Sequence, residues 1–462
     1  MSGRRRLDSP CDRSSSEIRR ATLSLSPKPT VTTALLAALI AVLLLVAAGH
    51  AQRPMEVAPK FVVDPFWPKP LPNRWILGEV SGVTVDSRDH VWIVQRPRSL
   101  TEDERGAALT PPRSVCCVPA PPVIEFDADG SVLQAWGGPG VGYDWPANEH
   151  GIFVDHQDNV WLAGNGAKDH HVLKFTRAGR FLLQIGKPGA GGHDADTHNL
   201  GRPADTRVDP TTNELYVADG YGNHRVIVFD AATGGYKRHW GANGRPPGAP
   251  GVKPFGNPVH CVRLAKDGLV YVCDRRNNRI QVFRRDGAFV KEIAVAPDTR
   301  GAGSVWDVDF SVDGAQSYLY TADGENNHVW ILLRDPGRAI GRFGRHGRYA
   351  GQLHWVHSLA VDSKGNIYTT EVDSGKRVQK FLHRGLAPPR ALSPAARREE
   401  SRENSTRRMV AGGDRGRAPR GGWLRVVDVR EGGGDRAHLA ALFLRRPRAV
   451  RSRDDPGSPA RQ

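Results

Sequence analysis

The sequence predicts an all-β protein that folds as a six-bladed β-propeller, and three observations support this prediction. The chain resembles itself at a period of about fifty residues, which is typical of propellers and solenoids. Each repeat holds four short runs of alternating apolar and polar residues, separated by turns rich in Asp, Asn and Gly. Six repeats are present, and closing them into a ring would leave only short, protected sheet edges.

The first half of each repeat is a strand, a polar turn and a second strand. In order, these halves read GVTVDSRDHVWIV, GIFVDHQDNVWLA, TRVDPTTNELYVA, VRLAKDGLVYVC, VDFSVDGAQSYLYTA and LAVDSKGNIYTTE. A second hairpin follows each of them, for example HHVLKFTRAGRFLLQIG in the second repeat. The sixth repeat is cut short at KRVQKFLHRG, so we expect the earlier segment FVVDPFWP to supply its missing strand.

These patterns place the propeller at residues 79–385, preceded by a segment at 52–78 that closes the last blade. Residues 1–51 are predicted to be a signal peptide, because arginines precede the apolar run ALLAALIAVLLLVAAG and small residues precede Gln52. We therefore expect a secreted or periplasmic protein. An uncleaved membrane anchor is the alternative, although the run is shorter than the ~20 residues of a spanning helix.

Residues 386–462 differ from the rest of the chain. They are rich in Arg, Gly, Pro and Ser, contain no lysine and show no repeat. Such a composition predicts disorder. An out-of-frame translation of a gene rich in G and C is the alternative interpretation, and no function is assigned to this tail.

The net charge does not indicate nucleic-acid binding. The formal charge is +16, but residues 1–30 hold seven basic against three acidic residues and residues 384–462 hold nineteen against nine. The repeats between them are left with 39 basic and 37 acidic residues. Because a phosphate-binding surface needs its positive charge on the folded domain, we exclude DNA and RNA as partners. We expect a monomer that acts on a small molecule or a peptide.

Three histidines occupy the same position on alternate repeats, five or six residues before the polar turn: His150, His260 and His357. The odd repeats place Ser81, Ala204 and Trp306 there. Alternate blades of a six-fold ring lie a third of a turn apart, so equivalent side chains can meet on the axis. Three imidazoles with an open fourth position are typical of catalytic zinc. The alternative is that each histidine is an ordinary polar residue at a strand end.

A second ring position follows the second strand of each repeat. It holds Arg96 in the first repeat, Tyr221 in the third and Arg275 in the fourth. Beside a metal, two guanidinium groups and a phenol would bind anions and transfer a proton. The loop histidines His170 and His193 have acidic or histidine neighbours too, and we interpret them as loop polar residues. Cys261 and Cys273 lie in one repeat and either pair or remain buried thiols.

The repeats match the NHL repeat, and residues 75–385 resemble the peptidyl-α-hydroxyglycine α-amidating lyases. The segments NEHGIFVD, PVHCVRLA and HWVHSLAVD are similar to the three histidine-bearing strands of that family, and VADGYGNHRVIVF is similar to its catalytic tyrosine segment. VCDRRNNRIQVF and VWIVQRPRS are similar to its arginine segments. The resemblance implies that His150, His260 and His357 bind zinc and that Tyr221, Arg96 and Arg275 are catalytic.

The resemblance implies cleavage of the C–N bond of a carbinolamide, which gives a peptide amide and glyoxylate. Three departures limit it. The family places Asp, a calcium ligand, after the third histidine, whereas Ser358 stands here, so calcium is not expected. Where the family pairs a cysteine equivalent to Cys273, the partner position reads Val282. The copper monooxygenase domain that makes the hydroxyglycine is not found in this sequence.

Two other functions remain open from the sequence. The first is a non-catalytic extracellular NHL propeller that binds a protein, a peptide or a glycan. The second is a lactone hydrolase, which uses the same architecture with calcium held by carboxylates. That hydrolase would place Glu and Asp, rather than His, on the axis.

Overall fold

Six four-stranded antiparallel sheets confirm the predicted six-bladed β-propeller. The computed structural model describes residues 56–389. The predicted signal peptide and nearly all of the predicted tail lie outside these residues. Within them, no helix is long and apolar enough to cross a membrane.

Blades one to three follow the chain from the axis outward, with one hairpin after another. The strands of blade one are Glu79–Val85, Val91–Arg96, Val123–Phe126 and Val132–Trp136. The strands of blade two are Glu149–Val154, Asn159–Gly164, His171–Thr176 and Phe181–Gly186. The strands of blade three are Asp205–Asp209, Glu214–Asp219, Arg225–Asp230 and Tyr236–Trp240.

Blades four and five repeat this order, whereas blade six takes its outermost strand from the start of the propeller. The strands of blade four are Val259–Leu264, Val270–Asp274, Arg279–Phe283 and Phe289–Ala294. The strands of blade five are Asp307–Phe310, Tyr318–Asp323, His328–Leu333 and Ala339–Phe343. The strands of blade six are Val356–Val361, Ile367–Glu371, Arg377–Ala387 and Ala58–Asp64.

The shorter elements lie between and beside the blades. Trp75–Ile76 and Val118–Pro119 form a small parallel pair. The short 3₁₀ helices are Pro97–Ser99, Gly106–Ala108, Ala242–Gly244 and Arg275–Asn277. The described residues contain two disulfides, one between Cys261 and Cys273, which face each other across two strands of blade four, and one between the adjacent Cys116 and Cys117.

The ring is closed by strands from opposite ends of the propeller. Ala58–Asp64 pairs antiparallel with Arg377–Ala387, from Ala58 opposite Ala387 to Asp64 opposite Lys380. The last strand therefore runs two residues past the position where the repeat pattern stops. Because this pairing supplies the fourth strand of blade six, that blade has as many strands as the others.

The hydrophobic core lies at the contacts between blades. Each of six apolar clusters combines residues of two neighbouring blades, including the contact between blade six and blade one. The first strand of every blade also contacts the first strand of the next, so these six strands form a closed ring around the axis. Burial of apolar surface therefore holds the blades in a fixed circular order.

One aromatic residue recurs in the core of every blade, at the second or third residue of its second strand. These residues are Trp92, Trp161, Tyr216, Tyr271, Tyr320 and Tyr368, and all are buried. In blades one, two and six the polar group of the aromatic side chain donates to the turn aspartate that precedes it: Trp92 to Asp86, Trp161 to Asp155 and Tyr368 to Asp362. The turn aspartate thus satisfies a buried donor as well as shaping the hairpin.

Blade three replaces that arrangement with an ion pair. Both nitrogens of the Arg238 fork contact Glu214, at 2.9 and 2.6 Å. These bonds from Arg238 are the main reason that the pKa of Glu214 falls from 4.5 to about 2. Because the folded state lowers this pKa, the pair stabilises the protein above about pH 4.5, and the stabilisation is lost as the pH falls towards about 2.

We predict that Arg238→Met lowers the free energy of unfolding at neutral pH. The difference from the wild type should shrink as the pH falls from about 4.5 to about 2, because the carboxylate becomes protonated in the folded state of the wild type as well. Urea unfolding at several pH values measures this.

Arg88→Met is the matched control. Arg88 also forms a two-pronged pair, with Asp158, but both side chains are largely exposed. Its loss should change the free energy of unfolding by less, because ion pairs in contact with solvent contribute little to stability. A difference for Arg238→Met that stays constant down to pH 2 would contradict the assignment.

Candidate metal centre

Three histidines meet on the axis of the propeller. His150, His260 and His357 are each the second residue of the innermost strand of blades two, four and six. Their ring centroids are 4.7, 4.8 and 4.9 Å apart, and each offers a ligand nitrogen within 4.8 Å of the others. All three are at most 3% exposed. The alternation seen in the sequence thus corresponds to a nearly equilateral triangle of imidazoles.

Each histidine is oriented by a backbone carbonyl of the next blade. Nδ1 of His150 lies 2.8 Å from the oxygen of Ala204, Nδ1 of His260 2.5 Å from that of Trp306, and Nδ1 of His357 2.6 Å from that of Ser81. A carbonyl only accepts, so Nδ1 carries the proton and Nε2 keeps its lone pair for the axis. A hydrogen bond of this kind on the far nitrogen is typical of metal-binding histidines.

The residues beside the histidines allow the inner strands to approach closely. A Cβ at Gly151 would lie 2.5 Å from the oxygen of Ala204, the acceptor for His150. A Cβ at Gly82 would lie 2.8 Å from the oxygen of His150. Glycine at these two positions therefore permits the spacing of blades one, two and three on which the first histidine depends.

Burial is the largest influence on the charge of the three imidazoles. It lowers the pKa of His150, of His260 and of His357 well below the usual value of 6.5. The positive charge of Arg275 lowers the pKa of all three histidines further, and that of Arg96 lowers the pKa of His150 and His357. The histidines are therefore neutral at physiological pH, which is the form that binds metal ions.

The donor set fits zinc. Three neutral imidazole nitrogens converge, their second nitrogens are hydrogen-bonded, and no carboxylate belongs to the triad. Nitrogen ligands suit zinc, copper, iron and nickel, whereas calcium and magnesium require oxygen. Three protein ligands leave one coordination position for a substrate or water.

Tyr221 places its hydroxyl group against this triad. It lies on the turn between Glu214–Asp219 and Arg225–Asp230 in blade three. Its oxygen is 3.0 Å from Nε2 of His150 and 3.1 Å from Nε2 of His260. A ligand of the metal would therefore lie within reach of this hydroxyl.

The two predicted arginines differ in their partners. Arg275 NH1 donates to the Tyr221 hydroxyl at 3.2 Å, and its guanidinium lies 4.3 Å from the ring centre of Trp306. It is 8% exposed and forms no ion pair with any acidic residue of the described range. Arg96 instead pairs with Glu79 at 2.5 Å and donates from Nε to the carbonyl of Glu149 at 2.7 Å. Of these two arginines, Arg275 is therefore the one whose positive charge is not neutralised and can bind an anion.

Sequence reasoning missed other side chains at this face. Arg202 holds its guanidinium 5.8 Å from the ring centre of Tyr221 and donates to the carbonyl of Asn165. Trp306 lies 5.7 Å from His260, and Trp355 lies 5.3 Å from Trp306. Trp306 stood at a ring position already noted in the sequence, whereas Arg202 and Trp355 carry no repeat signal because they lie on loops of variable length.

Buried ion pairs hold the turns that carry Tyr221 and Arg275. In blade three, Arg225 pairs with Asp219 at 2.8 Å, and both residues are fully buried. In blade four, Arg279 pairs with Asp274 at 2.6 Å. The acid ends the second strand and the arginine begins the third, so each pair clamps the base of the turn between them.

The same arginines fasten the long loops between blades. Arg225 donates to the carbonyls of Asp194, Asp196 and Asn199, within the Gly- and His-rich loop. Arg279 donates to the carbonyls of Lys253 and Pro254 in the Pro-rich loop. These pairs therefore link the loop at the rim to the turn at the candidate site.

The loop histidines do not assemble a second triad. His170 accepts from the amide of Gly191, and His171 lies 2.7 Å from the carbonyl of Asp144. The amide of Ala195 donates to His193. Within residues 56–389, two other clusters of potentially metal-binding side chains occur. One contains the Cys261–Cys273 disulfide. In the other, Asp86 and Glu125 form ion pairs with Arg177.

We predict that Gly151→Ala destabilises the protein by about 1–3 kcal/mol, because the added methyl group overpacks the contact between two backbones. Gly314→Ala is the control, since a Cβ there has nothing within 4 Å. Thermal unfolding of the two variants measures the difference. Equal stability would show that the close approach at Gly151 is not required.

The comparisons with known proteins agree with this architecture. The NHL repeat matches residues 200–229 and 259–283. NHL repeat-containing protein 3 of Mus musculus is 29% identical over 345 residues, which cover 70% of this chain and 84% of that protein. Its Homo sapiens counterpart is 30% identical over 57% of this chain and 73% of that protein.

A lyase is similar to about the same degree. Peptidyl-alpha-hydroxyglycine alpha-amidating lyase 1 of Drosophila melanogaster is 29% identical over 59% of this chain, and the match spans 51% of that enzyme. The repeats, the six blades and the similarity to the human protein lead to one conclusion: the chain belongs to the family of NHL-repeat β-propeller proteins that includes NHL repeat-containing protein 3.

Proposed function

We propose that the protein is a zinc-dependent carbon–nitrogen lyase that cleaves a carbinolamide, as the peptidyl-α-hydroxyglycine α-amidating lyases do. One observation carries the proposal: a tyrosine hydroxyl lies within hydrogen-bonding distance of two imidazoles of a buried, neutral triad. A purely structural triad would not need such a group. The Drosophila relative, which carries the lyase in its name, supports the proposal without deciding it.

The chemistry requires the loss of one proton and the gain of another. In a carbinolamide the carbon that bears the hydroxyl also bears the amide nitrogen. When the hydroxyl proton is removed, its electron pair forms the C=O bond of glyoxylate and the C–N bond breaks. The nitrogen takes the departing electron pair and a proton, which gives the amide. Bound zinc would supply a Lewis acid that polarises a substrate oxygen.

Tyr221 is the proposed group for the proton transfer. As a phenolate, its oxygen can accept the substrate proton, and the resulting phenol can return that proton to the leaving nitrogen, because the oxygen faces the position where a ligand of the triad would lie. Arg275 NH1 donates to the same oxygen and so stabilises a phenolate there. This contact explains why an arginine without a carboxylate partner is buried beside a tyrosine.

Anionic oxygens of the substrate have guanidinium groups available on the same face. Arg275 and Arg202 both lie within 6 Å of the Tyr221 ring centre, and no acidic residue of the described range pairs with either. Arg96 is partly neutralised by Glu79, so we propose that it orients the site rather than binding the carboxylate alone. A carboxylate such as that of an α-hydroxyglycine fits this excess of positive charge.

Export remains part of the proposal. A secreted or periplasmic location would bring the site into contact with peptides or small molecules outside the cytoplasm, and the signal that predicts it precedes the described residues. We propose no nucleic-acid partner. We also do not propose the lactone hydrolase, because imidazoles occupy the axis where that activity would need carboxylates.

Zinc content tests the first half of the proposal. Purified protein should contain about one zinc ion per chain, and His150→Ala should lose it because a three-ligand site cannot spare one ligand. His156→Ala, at an exposed position of the same blade, is the control. Elemental analysis measures both, and unchanged zinc in His150→Ala would reject the triad as the binding site.

Glyoxylate release from a simple N-acyl-α-hydroxyglycine tests the second half. Tyr221→Phe should keep its zinc but release glyoxylate at least roughly 100-fold more slowly, since a positioned proton-transfer group contributes about that factor. Tyr236→Phe, on the exposed outer strand of blade three, should behave as the wild type. Wild-type protein that binds zinc and releases no glyoxylate from such substrates would contradict the lyase assignment.

A non-catalytic binding propeller is the second candidate function. It is favoured by the similarity to NHL repeat-containing protein 3, which is as great as the similarity to the lyase. Binding of a protein or peptide across the loop-bearing face would then survive replacement of all three histidines. Zinc-dependent turnover would not be observed.

A further inference from the structure

A buried ionic cluster lies directly beneath the three histidines, and we call it the axial cluster: Asp205, Arg263, Asp307 and Ser358. All four residues are at most 7% exposed. Asp205 follows Ala204, Asp307 follows Trp306 and Ser358 follows His357 in sequence. Asp205 and Asp307 are therefore bonded directly to the residues whose carbonyls orient His150 and His260. Ser358 is bonded directly to a histidine of the triad.

Arg263 is the centre of this cluster. Its NH1 contacts Asp205 in blade three, and its NH2 contacts Asp307 in blade five, while Arg263 itself belongs to blade four. Ser358 of blade six donates its hydroxyl to the other oxygen of Asp307, at 2.7 Å. One guanidinium thus connects three consecutive blades at the axis, and the hydrogen bond from Ser358 to Asp307 adds the fourth.

The carboxylates of the cluster are satisfied without a metal ion. Asp205 also accepts from NH1 of Arg207 at 3.1 Å and from the amide of Val262 at 3.2 Å. Asp307 accepts from the amide of Leu359 at 3.1 Å. A third carboxylate, that of Asp309, also lies near Arg207 and Arg263. Because each oxygen of Asp205 and Asp307 already has a hydrogen-bond donor, a divalent cation would find no open oxygen on them and would meet two fixed positive charges. Calcium, which the resemblance to the lyases implies for this region, does not fit these residues.

We propose that Arg263 is the resident cation of the propeller axis and replaces the calcium ion of the related lyases. It is a positioning residue, because it holds Asp205 and Asp307 and through them the carbonyls of Ala204 and Trp306. Those carbonyls set the orientation of His150 and His260. Ser358 complements the replacement of calcium by Arg263. A carboxylate at position 358 would add a further negative charge beside Asp307, whereas the serine hydroxyl donates a hydrogen bond to it.

Calcium dependence tests the replacement, and this arm does not rest on the lyase proposal. Wild-type protein prepared in calcium-containing buffer should hold no stoichiometric calcium by elemental analysis. The melting temperature of the purified protein should be the same with and without added calcium. Stoichiometric calcium, or a melting temperature that rises with calcium, would overturn the proposal.

The double variant Arg263→Met, Ser358→Asp should convert the axis to a calcium site. It removes the guanidinium and restores the acid, so its melting temperature should rise on addition of calcium, whereas that of Arg263→Met alone should stay low in either condition. A folded double variant whose melting temperature does not change with calcium would show that residues 263 and 358 do not decide whether the axis holds an arginine or calcium.

Arg263→Lys tests the positioning role if the double variant fails to fold. Lysine keeps the charge but cannot bridge two carboxylates with a planar fork. Zinc affinity, measured by competition with a chromogenic chelator, should fall by roughly 10- to 100-fold, as for other outer partners of metal ligands. Arg88→Lys at the exposed pair with Asp158 is the control. This arm rests on the proposed zinc site, and wild-type zinc affinity in Arg263→Lys would overturn the positioning role.

Discussion

The hydrogen bond from each histidine to a carbonyl of the next blade is the interaction on which the site depends. It joins blade two to three, four to five and six to one. A single type of contact therefore fixes the tautomer of each histidine and also holds neighbouring blades in position. A small rotation of one blade would move the acceptor and turn the imidazole away from the axis. Gly82 and Gly151 permit the strands to come close enough for this contact. The geometry of the triad is therefore a property of the whole ring.

Two buried layers support this ring. Below it, Arg263 ties the residues that follow the acceptor carbonyls. Above it, the Asp219–Arg225 and Asp274–Arg279 pairs clamp the turns that bear Tyr221 and Arg275, and the same guanidinium groups fasten the rim loops. Breaking a buried pair of this kind leaves an uncompensated charge. Tyr221 and Arg275 thus lie on turns held at their bases, which favours a fixed geometry over an adaptable one.

The fold could be predicted from the sequence because each repeat encodes it independently. The alternating strands and the aromatic residue of the second strand recur six times, and the turn aspartate recurs in four of the six repeats, so one weak repeat does not obscure the others. The position of His150, His260 and His357 at the axis follows from their alternation. Arg202 and Trp355 could not be found this way, because they reach the site from loops without a repeat. The Asp219–Arg225 pair was not predicted from the sequence, and its contacts with residues 194–199 depend on the folded path of a distant loop.

The closing strand has a consequence for the order of assembly. Ala58–Asp64 is synthesised before any of the six blades, whereas its partner strand, Arg377–Ala387, is the last strand to be made among those of residues 56–389. Until then the early strand has no partner and the sixth sheet lacks its outer edge. Pairing of strands so far apart in sequence loses chain entropy before any stabilising contact forms, so ring closure should be a late step in folding. A chain that ended before Arg377 would keep five complete sheets, an incomplete sixth sheet and an unpaired first strand, which is a form prone to association with other chains.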